Sequence, residues 1–377
     1  MTTIDIFEQE MRANAIPFKA LASLPVPLYL GQCVANKDEI LICGGAHTRN
    51  CYSYHITKNQ YKYICSFPNN VELVGHSLVK LVNESSADII TLLSLGGQYQ
   101  TQKKHTMVMK YISVWYNPKS PEEKTLFNQW IPLTDMYNKP VCIGKDESDY
   151  NGVRAIVGGS KNHLLFITYP PKKIDVFNLK TYRYVTQNTL PIDEWIWHHC
   201  FVSKTDNDLE IMPKNKNKNE MLLFCKDAGL SIEYNENNNK FRFQNIRVCS
   251  TIRSLNQYAY LCVNDVILFF GGHGGTDTGY SKAIHKYSIK ENKWIRIQHD
   301  LPTRLGRCVG VLSMDKTHVH IIGGGNDAKD AISCHMRINV SEFMKEETVI
   351  EKQWIAEEKR IEEGEREVED IKRVKKI

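Results

Sequence analysis

The sequence predicts an all-β chain built as six similar four-stranded sheets around one axis, closed by its N-terminal segment and followed by a charged α-helix. Three observations carry that expectation. A short apolar run ending in paired glycines recurs along the chain, two aromatics seven positions apart follow it, and the last unit lacks its outer strand.

Residues 1–15 form an N-terminal extension with acids and no apolar stretch, unlike a secretory leader. Residues 16–25, with FKALASLP (Phe18 to Pro25), read as an outer strand that precedes any inner one. The apolar runs then punctuate residues 16–340. ILICGG ends at Gly44-Gly45, LLSLGG at Gly96-Gly97, RAIVGG at Gly158-Gly159, LFFGG at Gly271-Gly272 and VHIIGG at Gly323-Gly324. MLLFCKDAG (Met221 to Gly229) fills the remaining slot near Cys225 without the pair, giving six units about 56 residues apart. A phosphate cradle needs a helix starting directly after its glycines. After Gly272 comes HGGTDTGYSKAIHKYS, rich in turn residues. The pairs are therefore read as structural, as strand ends crowded near an axis that turn with positive φ beside a neighbouring sheet.

Upstream of each pair an inner strand is expected: GQCV (Gly31 to Val34), GHSLV (Gly75 to Val79), PVCIG (Pro140 to Gly144), HHCFV (His198 to Val202), YAYLCV (Tyr258 to Val263) and GRCVGV (Gly306 to Val311). The 11 cysteines show no CxxC and no zinc spacing, which points to reduced thiols. Cys33, Cys142, Cys200 and Cys308 fall at matching places and read as small apolar fillers of that inner strand. Downstream come the pairs Tyr54/Tyr61, Phe177/Tyr184, Tyr234/Phe241 and Tyr287/Trp294, separated by HITKNQ, NLKTYR, NENNNK and SIKENK. Residues seven apart also share a helix face, but these turn residues favour a tight hairpin. An even number between the two aromatics sets them opposite each other on one sheet face.

The outer strand appears in YKYICSFP, QWIPLTDM, YRYVTQNTLP, FRFQNIRV and WIRIQHDLP, five times for six units. The sixth unit shows only GRCVGVL, HVHIIGG and SCHMRINV, so the segment around Phe18 should supply its missing strand and latch the ring. Closure removes sheet edges that otherwise template aggregation.

An apolar run into Gly-Gly, then Tyr, then Trp after six residues resembles the kelch repeat. The unit from Val266 to Trp294 matches it most closely, with 14 residues between Gly272 and Tyr287. The interval is longer than the ~40–45 residues of a WD40 blade and near the ~50 of a kelch unit. The resemblance spans residues 16–340 and implies a six-bladed kelch-type β-propeller. It further implies a non-catalytic scaffold or adaptor that binds protein partners, such as cytoskeletal or ubiquitin-ligase components, through its loops. No BTB or F-box domain is visible to assign either role. Some propellers of this kind are copper oxidases using two Tyr and two His, and others act on sialic acids. A metal- or carbohydrate-dependent enzyme is thus the alternative, with His198 and His199 as raw material, alongside the kelch portion of a larger chain. The reading taken is that the protein is not an enzyme and needs no cofactor or metal.

From Ser341 to Ile377 proline disappears and charge becomes dense with mixed sign, which predicts a lone solvated helix fraying from the ring. Trp354, Ile361 and Val368 recur every seven residues, but Glu357 and Gly364 interrupt the alternate seam of a coiled coil.

Formal charge is +5, and the tail's nine basic and twelve acidic residues leave about +8 for the rest. Interspersed charge of this kind marks no nucleic-acid arm, and no run approaches the ~20 apolar residues of a membrane span. A cytoplasmic location is expected. The loops after the glycine pairs, together with those between units, should share one face and offer His47, Arg49, Lys103, Lys104, His105, Lys161, His163, His273, Asp277, Tyr280, Asn326 and Asp327 to a partner. Their positive bias over the first three units favours an acidic protein segment, held by charge-assisted hydrogen bonds.

Overall fold

A computed structural model describes residues 18–46, 48–82, 88–98, 103–116, 127–204, 218–275, 279–327 and 330–374. His47, Asp277 and the extension 1–15 lie outside the described residues.

The strands pair antiparallel into six four-stranded sheets, a six-bladed β-propeller. Blade I comprises β2 (Cys33–Asn36), β3 (Glu39–Gly45), β4 (Thr48–His55) and β5 (Gln60–Ser66). Blade II comprises β6 (Ser77–Leu81), β7 (Ile90–Gly96), β8 (His105–Tyr111) and β9 (Ile131–Pro132). Blade III comprises β10 (Arg154–Gly158), β11 (Leu164–Tyr169), β12 (Lys173–Asn178) and β13 (Arg183–Thr189). Blade IV comprises β14 (Cys200–Ser203), β15 (Lys218–Cys225), β16 (Ala228–Asn235) and β17 (Lys240–Asn245). Blade V comprises β18 (Ala259–Val263), β19 (Val266–Phe270), β20 (Ile284–Ser288) and β21 (Lys293–Arg296). Blade VI comprises β22 (Val309–Leu312), β23 (His318–Ile322) and β24 (His335–Asn339), completed by β1 (Lys19–Ala20) from the N-terminal side.

The ring closes at two radii. The inner strands touch in cyclic order, β2 to β6, β10, β14, β18, β22 and back to β2. At the rim, Lys19 and Ala20 pair with Arg337 and Met336, and the Leu21 and Leu24 amides donate to His335 O and Ser333 O at 2.9 and 3.0 Å. The apolar core is correspondingly divided: each pair of adjacent blades encloses one cluster, six among the described residues. That division explains the burial along each strand. The second strands β3 and β11 are buried throughout because they lie between two neighbouring sheets, and a strand covered on both faces reads as a continuous apolar run. The outer strands β5, β13 and β17 are mostly exposed or half-buried.

All four aromatic pairs are direct cross-strand partners: Tyr54 with Tyr61, Phe177 with Tyr184, Tyr234 with Phe241 and Tyr287 with Trp294. In three of these hairpins the tyrosine hydroxyl donates to an asparagine five residues on, Asn59, Asn239 or Asn292, at 2.7–2.8 Å. Each of these asparagines has a left-handed backbone, which Asn tolerates better than most residues.

Among the described residues no helix follows any glycine pair. Gly271, at φ +63°, shows what the pairs do: a Cβ there would collide with the carbonyl oxygen of Leu305, in the segment leading to the next blade. Substituting Gly271→Ala is expected to cost roughly 3 kcal/mol, from the positive φ and the collision together. The measurement is urea unfolding, where the midpoint should fall with an unchanged slope. A midpoint equal to that of the native chain would contradict the crowding role.

Blade III departs from the expectation. RAIVGG is not a second strand: it forms the inner strand β10, and Gly158-Gly159 begin the turn into β11. The true second strand is LLFITY, which ends at Pro170-Pro171 instead of glycines. PVCIG therefore lies ahead of the blade in the segment from β9, and Cys142 is exposed. Of the other matching cysteines, Cys33 and Cys200 open β2 and β14, and Cys308 immediately precedes β22. An apolar run into Gly-Gly satisfies either end of a hairpin, so the pattern alone could not separate the two strands.

The tail forms a 3₁₀ turn (Val340–Phe343) and then α1 (Val349–Val374). Thr348 and Glu351 make a reciprocal capping box, at 3.2 and 3.0 Å. The expected fraying helix is instead docked. Trp354 and Ile355 pack against the interblade clusters, Glu358 meets Arg247 at 2.6 Å and the Ser250 amide at 2.9 Å, and Glu365 meets Arg253 at 2.5 Å. The two guanidinium groups hold the Glu365 carboxyl down to about 2. Of the seven-residue recurrence Trp354 joins this face, whereas Ile361 and Val368 stay exposed and Glu351, Glu358 and Glu365 make the polar contacts.

Candidate functional site

Each blade sends its second-to-third-strand loop and its link to the next blade to one end of the ring, and its other two turns to the opposite end. Arg49, Lys103, Lys104, His273, Tyr280, Asn326 and Asp327 lie at the first end, as expected. Lys161 and His163 do not: they sit in the β10–β11 turn at the opposite end, a consequence of the exchanged strands in blade III.

Several of the loop groups are engaged within the fold. Arg49 Nε donates to Val71 O at 3.0 Å. Lys104 Nζ donates to Ser148 O at 3.0 Å and lies 5.6 Å from the centre of the Tyr150 ring, where burial holds its ammonium below the ordinary value. His105 is buried against Ser94 Oγ (2.7 Å) and Glu72 O (3.2 Å), with its imidazole pushed down to about 3 by burial. His273 packs against the buried Tyr280 ring at 4.9 Å. The Tyr280 amide donates to Asp327, which also pairs with Arg304 at 3.7 Å.

Two features at this end were not legible in the sequence. The first is a set of large side chains exposed on two neighbouring links. Trp195 is 68% exposed and Trp197 41%, both in the link from β13 to β14, while Met136 (84%) and Tyr137 (73%) crown the link from β9 to β10. Asp135 holds the latter turn by accepting from the Tyr137 and Lys139 amides at 2.8 and 2.9 Å. Trp195 borders a cavity of about 680 Å³ whose walls include Tyr169, Pro170, Pro171 and Asp175. Asp175 is buried, accepts from Tyr169 Oη (2.9 Å) and Gln187 Nε2 (3.0 Å), and has its carboxyl pushed up by desolvation.

The second is the axial mouth, a cavity of about 150 Å³ lined by Arg154, His198, Gln257, Tyr260 and Arg307. Arg154 opens β10 on blade III, and Arg307 immediately precedes Cys308 and β22 on blade VI, so the two come from opposite sides of the ring. Arg307 Nε donates to Gln257 Oε1 at 2.9 Å, and Arg154 Nη1 donates to Val153 O at 2.9 Å. His198 and His199 do flank an inner strand, as expected. The His199 ring meets Thr168 Oγ1 at 2.6 Å, and burial pushes His198 down to about 3, reinforced by both guanidinium charges. Among the described residues no group of three or more His, Cys, Asp or Glu is placed to hold a metal ion, and no helix is long and apolar enough to cross a membrane.

No protein-family model matches the chain, and no curated protein sequence does. Solved structures do match, 1053 chains in all. One, described as the structure of YjhT, is 14% identical with a TM-score of 0.57, over 84% of this chain and 96% of that one. Likeness at that identity carries the propeller architecture alone.

Proposed function

We propose that this is a kelch-type propeller whose work is binding: a rigid, cytoplasmic scaffold that presents its loop end to a protein partner of the cytoskeletal or ubiquitin-ligase kind. The observation that carries the reading is that four large side chains, Trp195, Trp197, Tyr137 and Met136, are left in solvent on two neighbouring links at one end of the ring. Large aromatics and methionine are what protein interfaces concentrate at their centres, and a side chain such as Trp195 gains most when a partner dehydrates it. Arg49, Lys103 and Lys104 on the same end favour a partner whose contacting segment is acidic.

Affinity capture from cell extract, followed by titration of the partner recovered, tests the reading. Trp195→Ala and Tyr137→Ala should each weaken the partner at least tenfold, the effect of losing about 1.4 kcal/mol at a hot spot. Partners held equally well by both variants would remove these side chains from the interface.

Asp175 supports a second reading, a propeller enzyme acting on a carbohydrate. A buried carboxyl with a raised proton affinity beside an aromatic-walled cavity is a recurring acid–base arrangement. Asp175→Asn separates the two readings, because it should leave partner capture intact and abolish any turnover of a glycoside substrate.

A further inference from the structure

The ring reaches the axis through six equivalent residues with left-handed backbone, one shortly before each inner strand: Leu30, Gly75, Gly152, His198, Gln257 and Arg307. Gly75 and Gly152 show what the geometry prefers, since only glycine adopts positive φ without steric cost. At His198, Gln257 and Arg307 a polar side chain occupies that position instead, at a cost of roughly 1 kcal/mol or more each. All three line the same axial cavity. Strained backbone that holds convergent polar groups at a cavity is a mark of a binding site.

The charge inventory of the cavity is one-sided. Two guanidinium groups line it and no carboxylate does, among the described residues. Arg154 has a peptide oxygen and the Tyr260 hydroxyl as partners, and Arg307 has the Gln257 amide oxygen. These are neutral acceptors, which orient the two forks without discharging them. His198 stands in the field of both, 3% exposed, with its Nδ1 buried and without a hydrogen-bond partner.

We infer that the axial mouth is an oxyanion site, in which Arg154 and Arg307 hold a phosphate or carboxylate group between opposite blades, with Gln257 and Tyr260 fixing the guanidinium groups. A planar fork on each side of a small cavity matches the oxygens of such a group, and the charge-assisted hydrogen bonds formed there are the strong kind. A cavity of about 150 Å³ admits one such group and not a length of peptide chain. The anion can arrive as a free small molecule or as the tip of an acidic side chain. The site does not depend on the exposed aromatics forming an interface.

The test is thermal unfolding of the full chain at constant ionic strength, with inorganic phosphate or end-blocked tetraglutamate replacing sodium chloride. A saturable rise in midpoint, about 3 °C at hundredfold saturation, is expected with at least one of the two. Phosphate alone identifies a free anion as the source, and tetraglutamate alone identifies an acidic side chain. Arg154→Gln and Arg307→Gln should each abolish the rise while the far-ultraviolet spectrum stays native. Should either variant fail to fold, the Arg154 and Arg307 Nε–H resonances of the native chain provide the readout by NMR at neutral pH: the anion that raises the midpoint must shift both saturably, and no shift of either overturns the site. No rise with either anion, or an equal rise in folded Arg variants, overturns the site.

Discussion

Acidification below about pH 5.5 is expected to unfold this protein cooperatively. Six histidines, His76, His105, His198, His285, His320 and His335, are buried, and burial pushes them down to about 4, 3, 3, 3, 4 and 2. His320 and His335 are hydrogen-bonded to each other at 2.9 Å beneath the latch strand, and His285 to Thr251 Oγ1 at 2.9 Å. The sign follows from the depressed values. The folded state keeps these rings neutral while the unfolded chain protonates them near pH 6.5, so between the two values the unfolded chain binds more protons. Their contribution is complete above that pH and is lost as pH falls from 6.5 toward the folded values of about 2–4. One unit below 6.5 each ring withdraws about 1.4 kcal/mol, and several together reach a typical net stability of roughly 5–15 kcal/mol. Tryptophan emission followed from pH 8 to 3 reads the transition, and His285→Gln should move it to lower pH. Native emission persisting at pH 4.5 would show that the rings are solvated.

Deleting the latch has the second large effect. A chain starting at Pro25 loses β1, the two backbone bonds from Leu21 and Leu24, and the Leu24 side chain buried between blades VI and I. Hydrogen bonds of about 1 kcal/mol and a buried leucine of about 2–3 kcal/mol bring the loss to roughly 5 kcal/mol. Strand β24 would then present an open edge, so size-exclusion chromatography should show aggregates as well as a lowered thermal midpoint. Leu24→Ala keeps the strand and should lose stability, by about 3 kcal/mol, without aggregating. A truncated chain as stable and monodisperse as the full one would mean that the ring closes without its rim strand.

The repeat was legible because its signals are local. Hairpin register depends on parity between Tyr287 and Trp294, and a second strand covered on both sides must be apolar throughout, as ILICGG is. Blade III was misread for the same reason: RAIVGG carries the local signal at the wrong end of a hairpin, and LLFITY lacks it. The docking of the helix was hidden because its contact face is acidic, so Glu351, Glu358 and Glu365 looked like solvent-facing charge.

The candidate sites were hidden for a different reason. Most of the loop residues singled out by type do lie at the expected end, yet His105 and Tyr280 are buried there, and Trp195 carried no spacing that marked it as exposed. From its order of residues alone the chain determined the number of sheets, the hairpins outside the first turn of blade III and the N-terminal closure, since each rests on neighbours along the chain or on one missing strand. Only the tertiary structure decided that Arg154 and Arg307 converge, because they lie three blades apart on opposite sides of a ring. Rotation about an axis, and no interval in sequence, brings such positions together.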